Sequence, residues 1–178
     1  MKLNVTSLLL VLCVLCVAEK TECYRILATI ATPSYSHQIP YRALWLELHK
    51  RGHKVVLVTP DPIPNINSPN FTQIDISHAY EIIGTLNFVQ SRFNGEPWTQ
   101  FIEEQLMAIG VNFVENIFNN TEFKKMYAPD SDAKFDILLT EYLYGPAAVG
   151  IAHRFNVPII GIPITYSWSF ETVIQFVQ

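Results

Sequence analysis

Tyr24-Arg25-Ile26-Leu27-Ala28-Thr29-Ile30 opens the stretch that decides the fold, and Lys54-Val55-Val56-Leu57-Val58-Thr59 closes it. Both runs are nearly continuous in apolar character. That is the pattern of strands covered on both faces, not on one. Between them, Pro33-Ser34-Tyr35-Ser36-His37 reads as a loop. Ile39 to Arg51 then reads as a helix, with Pro40 in its first turn and Ala43, Leu44 and Leu48 along its apolar face. Gly52 supplies the stop. Strand, crossover helix and strand within about 36 residues make one βαβ unit.

Downstream the alternation continues. A loop with four prolines, Pro60 to Pro69, leads to a third strand over Phe71 to Ile76. Ala79 to Lys125 has helical periodicity, interrupted at Gly95-Glu96-Pro97. Asp136-Ile137-Leu138-Leu139-Thr140 predicts a fourth strand that runs out at Glu141, Gly145 to Phe155 a helix, and Ile159 to Ile162 a fifth strand. A loop and the start of another helix are expected after Pro163. Strands alternating with helices predict an α/β, Rossmann-like parallel sheet with helices on both faces.

Upstream, Leu8 to Ala18 is an apolar run of the length of a signal-peptide core, too short to span a bilayer, behind the single charge of Lys2. Residues 1–18 are expected to be a signal peptide, with Cys23 as the alternative end, and residues 24–178 one domain. Cys13, Cys16 and Cys23 lie within the leader or at its edge, so no disulfide framework is expected. Asn70-Phe71-Thr72 and Asn119-Asn120-Thr121 are sequons, making Asn70 and Asn119 candidates for glycosylation in the secretory pathway.

Composition narrows the function classes. The 178 residues are 49% apolar and 16% charged, enough for a packed core and unlike a disordered chain. The formal net charge is −4 and no Lys/Arg run exceeds two residues, so the basic footprint of a nucleic-acid partner is absent. The turn after the first strand, Ala31 to Ser36, has no glycine, which contradicts a dinucleotide fingerprint. There is no phosphate-binding Walker loop and no GxSxG nucleophile elbow. His49 and His53 are four apart, but Gly52 breaks the helix between them, so no metal site is expected.

In an open parallel sheet, ligands collect outside the carboxyl ends of the strands. Two ionisable groups fall there. His37 follows the first strand and Glu141 ends the fourth. An imidazole beside a carboxylate is a general-base pair, in which the carboxylate fixes the tautomer and stabilises the ring as it takes a proton. The adjoining helix N-terminus disfavours the charged ring. Taken singly, His37 reads more readily as a helix-capping or solvated loop residue, and Glu141 as a surface carboxylate or a partner for an arginine. Aromatic residues gather over Phe88, Phe93, Trp98, Phe101, Phe113 and Phe118, most at core spacing and some available to an apolar pocket. Tyr142, Tyr144, Tyr166 and Trp168 follow the later strand ends.

Ser36-His37, then Leu44, Leu48, Arg51-Gly52-His53-Lys54-Val55 and Val58-Thr59-Pro60, resembles the amino-terminal half of the UDP-glycosyltransferases, including UDP-glucuronosyltransferases and their insect relatives. The likeness continues at Phe135 to Glu141 and at Phe155-Asn156-Val157-Pro158-Ile159-Ile160. It implies a two-domain GT-B fold whose amino-terminal domain holds a small lipophilic acceptor. By this resemblance His37 is the general base and Glu141 stands where many members carry a supporting aspartate. Tyr35, Ser36, Phe88, Phe93, Trp98 and Tyr142 fall to the acceptor pocket. The family is inverting and uses no metal or cofactor. Its UDP-sugar co-substrate binds a second domain, whose signature these residues do not contain, and its full-length members are anchored in the endoplasmic reticulum membrane. The alternative expectation is a non-catalytic secretory protein of the same fold. It would bind lipophiles or pair with full-length members as a homo- or hetero-oligomer.

Overall fold

The computed structural model describes residues 22–84, 88–95, 97–141 and 145–162. The leader over residues 1–18 and the segment after Pro163 lie outside the described residues. Five parallel strands form one sheet: β1 (Arg25–Thr29), β2 (Lys54–Thr59), β3 (Phe71–Asp75), β4 (Ile137–Glu141) and β5 (Ile159–Ile162). Their order is β3-β2-β1-β4-β5, with every neighbouring pair parallel. The fold is therefore α/β and Rossmann-like, as the strand–helix alternation predicts.

Helix α1 (Tyr35–Lys50) joins β1 to β2. Helices α2 (Ala79–Ile83), α3 (Phe88–Phe93) and α4 (Trp98–Gln100) follow β3; a π-helical turn, Phe101–Leu106, then leads into α5 (Met107–Asn119) and α6 (Thr121–Tyr127). Helix α7 (Gly145–Phe155) joins β4 to β5. Among the described residues, no helix is long and apolar enough to cross a membrane.

Alternation along each strand divides the core into two layers. Ile26, Ala28, Val55, Leu57, Phe71 and Leu139 face α1, which returns Tyr41 and Trp45. Leu27, Val58, Ile74, Leu138 and Ile159 face the other way, against Phe113 and Ile117 of α5, Phe123 of α6 and Ile151 of α7. Both layers are apolar because both faces of the sheet are covered, which explains strands that read as unbroken hydrophobic runs. Full burial of side chains such as Trp45, Phe113 and Phe123 contributes on the order of 1.5–3 kcal/mol each.

The sequence places the start and the buried face of α1 wrongly. The helix begins at Tyr35, four residues before Ile39, so Ser36 and His37 belong to its first turn and not to a loop. Pro40 sits inside the helix. Its missing N–H frees only the carbonyl of exposed Ser36, which solvent can satisfy. The buried stripe is Gln38, Tyr41 and Trp45, while Ala43 and Leu44 are exposed and Leu48 is half-buried. The earlier start carries the first turn over the sheet, and that turn selects the stripe. Gly52 ends the helix at φ 89°, where a glycine is favoured. Gly52 N–H donates to the His49 carbonyl at 2.9 Å and His53 N–H to that of Leu48 at 3.2 Å, a Schellman closure.

Candidate active site

The strand order reverses between β1 and β4. The chain leaves β1 toward β2 on one side and returns to the other side only at β4. A crevice opens at such a switch point, outside the carboxyl ends of the strands. Thr32 and His37 reach it from the connection after β1, and Glu141 from the last position of β4.

Glu141 is 1% exposed. A carboxylate taken out of water is costly unless its oxygens are satisfied. Here Oε2 accepts the Thr32 backbone N–H at 3.0 Å and Oε1 accepts the Thr32 hydroxyl at 2.7 Å. His37 Nδ1 lies 3.2 Å from the same Oε1. The pair that the sequence sets across one crevice is thus in contact, 104 residues apart in the chain. His37 is 29% exposed at its side chain, so the ring has one nitrogen on a buried carboxylate and is still reached by solvent.

A second set of buried polar groups braces the first. Gln38, 2% exposed, donates from Nε2 to the Thr32 carbonyl at 3.2 Å and accepts at Oε1 from the Thr59 hydroxyl at 3.0 Å. Beside it, the Thr29 hydroxyl donates to that of Thr140 at 2.9 Å, linking the ends of β1 and β4. Tyr41 donates to the Ile162 carbonyl at 3.4 Å. Burial, with the Glu141 carboxylate nearby, pushes the Tyr41 phenol up to about 12. The phenol is neutral at physiological pH and acts there as a donor.

The other predicted residues are more dispersed. Tyr35 is exposed at the start of α1, with the Arg42 guanidinium 4.9 Å over its ring. The Ser36 hydroxyl is within 2.9 Å of that of Ser34, at the exposed rim. Phe93 ends α3 with 83% of its surface exposed. Phe88 and Trp98 lie in α3 and α4 by their backbone, and their side chains are outside the described set. Tyr142 falls outside the described residues altogether. Asn70 is half-buried before β3, whereas Asn119 is exposed at the end of α5. Among the described residues, no three His, Cys, Asp or Glu side chains gather as a metal would require. Thr32, Gln38 and Tyr41 are the residues sequence reasoning missed. Only the spacing of Gln38, Tyr41 and Trp45 signals the latter two, and it is legible once the helix start is known; Thr32 carries no such signal.

Among curated proteins, the chain is similar to sugar transferases. It is 27% identical over 153 residues to UDP-glycosyltransferase UGT4 of Dactylopius coccus, covering 80% of this chain and 28% of that protein. It is 41% identical over 73 residues to the ecdysteroid UDP-glucosyltransferase of the Lymantria dispar multicapsid nuclear polyhedrosis virus, 40% of this chain and 14% of the viral one. It is 25% identical over 171 residues to UDP-glucuronosyltransferase 2A3 of Cavia porcellus, 85% of this chain and 30% of that protein. The chain therefore spans less than a third of the length of these curated relatives. No family model matches it, and no solved structure does. Its curated relatives are UDP-glycosyltransferases over most of its length. Its sheet is consistent with the amino-terminal domain of a GT-B enzyme.

Proposed function

We propose that this chain, a relative of the UDP-glycosyltransferases, is the acceptor-binding part of a UDP-sugar-dependent transferase, with His37 as general base. The observation that carries the reading is the 3.2 Å contact of His37 Nδ1 with the buried Glu141 carboxylate at the switch point. A carboxylate accepts only, so Nδ1 is held as the donor and Nε2 keeps its lone pair. Nε2 takes the proton of an acceptor hydroxyl as that oxygen attacks the anomeric carbon of the sugar. The new C–O bond forms as the bond to UDP breaks on the opposite face, so the configuration inverts and the leaving diphosphate takes the electron pair. Glu141 stabilises the imidazolium that results. Tyr35 and Ser36 at the rim, with Phe88, Phe93, Trp98 and Tyr142, form the acceptor side, and the acceptor is a small lipophilic hydroxyl compound. The UDP-sugar binds in the part that the longer relatives have in addition. The proposed setting is the secretory pathway, as the leader and the sequons at Asn70 and Asn119 imply.

The test is transfer from UDP-glucose or UDP-glucuronic acid to a simple phenol. The assay uses a chimera in which this chain replaces the matching segment of the Dactylopius coccus relative. His37→Ala should lower glycoside formation by about 10²-fold or more while leaving UDP binding intact. Wild-type turnover by that variant would sink the assignment. Phenol binding with no transfer by the unmutated chimera would favour a binding-only protein.

A further inference from the structure

Glutamate at position 141 raises a geometric problem, because a glutamate has three side-chain torsions to fix before its carboxylate can hold a ring. We propose that Thr32 is the positioning residue of this site, clamping the Glu141 carboxylate so that one oxygen is presented to His37 Nδ1. The inference rests on the assignment of His37 just made and adds a residue to it.

Two bonds from a single residue reach the two carboxylate oxygens, the N–H to Oε2 at 3.0 Å and the hydroxyl to Oε1 at 2.7 Å. Two donors on one rigid unit define a plane, as a bidentate arginine does, and leave the carboxylate no free rotation. The shared oxygen, Oε1, is also the one facing the imidazole. Thr32 is itself fixed. It is 6% exposed, its carbonyl accepts from Gln38, and Gln38 is held in turn by Thr59 of β2. Pro33 follows immediately and restricts the Thr32 backbone to extended conformations. A chain of contacts thus runs from β2 through Gln38, Thr32 and Glu141 to the ring. The Gln38 brace and the His37 ring come from adjacent residues of one helical turn. The role assigned to Thr32 is orientation; it does not touch the reacting atoms.

The experiment reads the tautomer of His37 directly, by nitrogen-15 NMR of the full 178-residue chain, with the His37 signals assigned by their loss in His37→Ala. Wild type should show a protonated Nδ1 and a bare Nε2. Thr32→Ser keeps both donors and should reproduce that pattern. Thr32→Val keeps the N–H, removes the hydroxyl and nearly preserves volume. It should lose the single-tautomer pattern, with the two nitrogen shifts converging, while far-UV circular dichroism remains native. Thr32→Ala reads the same quantity if the valine variant does not fold. A wild-type tautomer in Thr32→Val or Thr32→Ala overturns the proposal, as does a Thr32→Ser spectrum that matches Thr32→Val. Failure of the base assignment looks different. There, His37→Ala would still transfer sugar while the tautomer results stood unchanged.

Discussion

The two ends of the sheet are built from the same strands and differ in what they bury. At the amino ends, Arg25, Lys54 and Asp136 are exposed. Their contacts are of the kind that water replaces at little cost, such as Arg25 N–H to Asp136 Oδ2 at 2.6 Å and Tyr24 N–H to His53 Nδ1 at 3.2 Å. At the carboxyl ends, Thr29, Thr32, Gln38, Thr59, Thr140 and Glu141 are all buried. Apolar residues of equal volume would fill the same space without desolvating a charge. The carboxyl ends are thus organised around holding Glu141 and the ring beside it, whereas the amino ends only close the sheet.

That contrast can be broken at its strongest point first. His37→Ala should lower sugar transfer about 10²–10⁴-fold, the usual contribution of a positioned general base. Its unfolding free energy should change by no more than about 1.5 kcal/mol, because Thr32 still satisfies Glu141. Kinetics of the chimera and urea unfolding of the chain check the two halves. Glu141→Ala should do the reverse in stability, costing about 2–4 kcal/mol in urea unfolding as Thr32 loses its acceptor and a cavity opens. An unfolding midpoint equal to that of wild type would mean the carboxyl ends are no more demanding than the amino ends. Asp136→Ala, at the opposite end, should cost less than about 1 kcal/mol, since the Arg25 N–H it leaves is reached by water. A larger loss there than at Glu141 would invert the comparison.

The smallest effect concerns protons. The Tyr41 phenol should ionise only near pH 12, against an ordinary value of 10.0. Its folded-state value is raised, so the unfolded chain releases this proton first. The contribution of Tyr41 to stability is complete below about pH 10 and is lost as pH rises toward 12. Spectrophotometric titration should show this late phenol, and Glu141→Gln should move it down, because the carboxylate is the second cause of the rise after burial.

How much of this was legible follows the physics of each signal. Strands β1, β2, β4 and β5 are readable because burial on both faces demands runs such as Lys54 to Thr59, which few other structures tolerate. Helix α7 is readable from Gly145 to Phe155 because Asn156, at φ 53°, ends it in a conformation asparagine accepts. The start of α1 is not legible, because proline is favoured in a first turn whereas α1 begins at Tyr35 and carries Pro40 inside it. The pairing of His37 with Glu141 was legible from topology, since strand carboxyl ends converge. Thr32 was not, because nothing in a lone threonine before a proline reports that a carboxylate 109 residues away will close on it.

The separation of His37 from Glu141 also has a consequence in time. A ribosome adds roughly 5–20 residues per second, so Glu141 is made about 5–20 s after His37. Strand β1, helix α1 and strand β2 are complete well before β4 exists to flank them. Throughout that interval the Thr32 N–H and hydroxyl have no carboxylate to meet, and one long edge of β1 is bare. The polar pairing at the carboxyl ends is therefore completed only when β4 docks, and until then water serves the Thr32 donors.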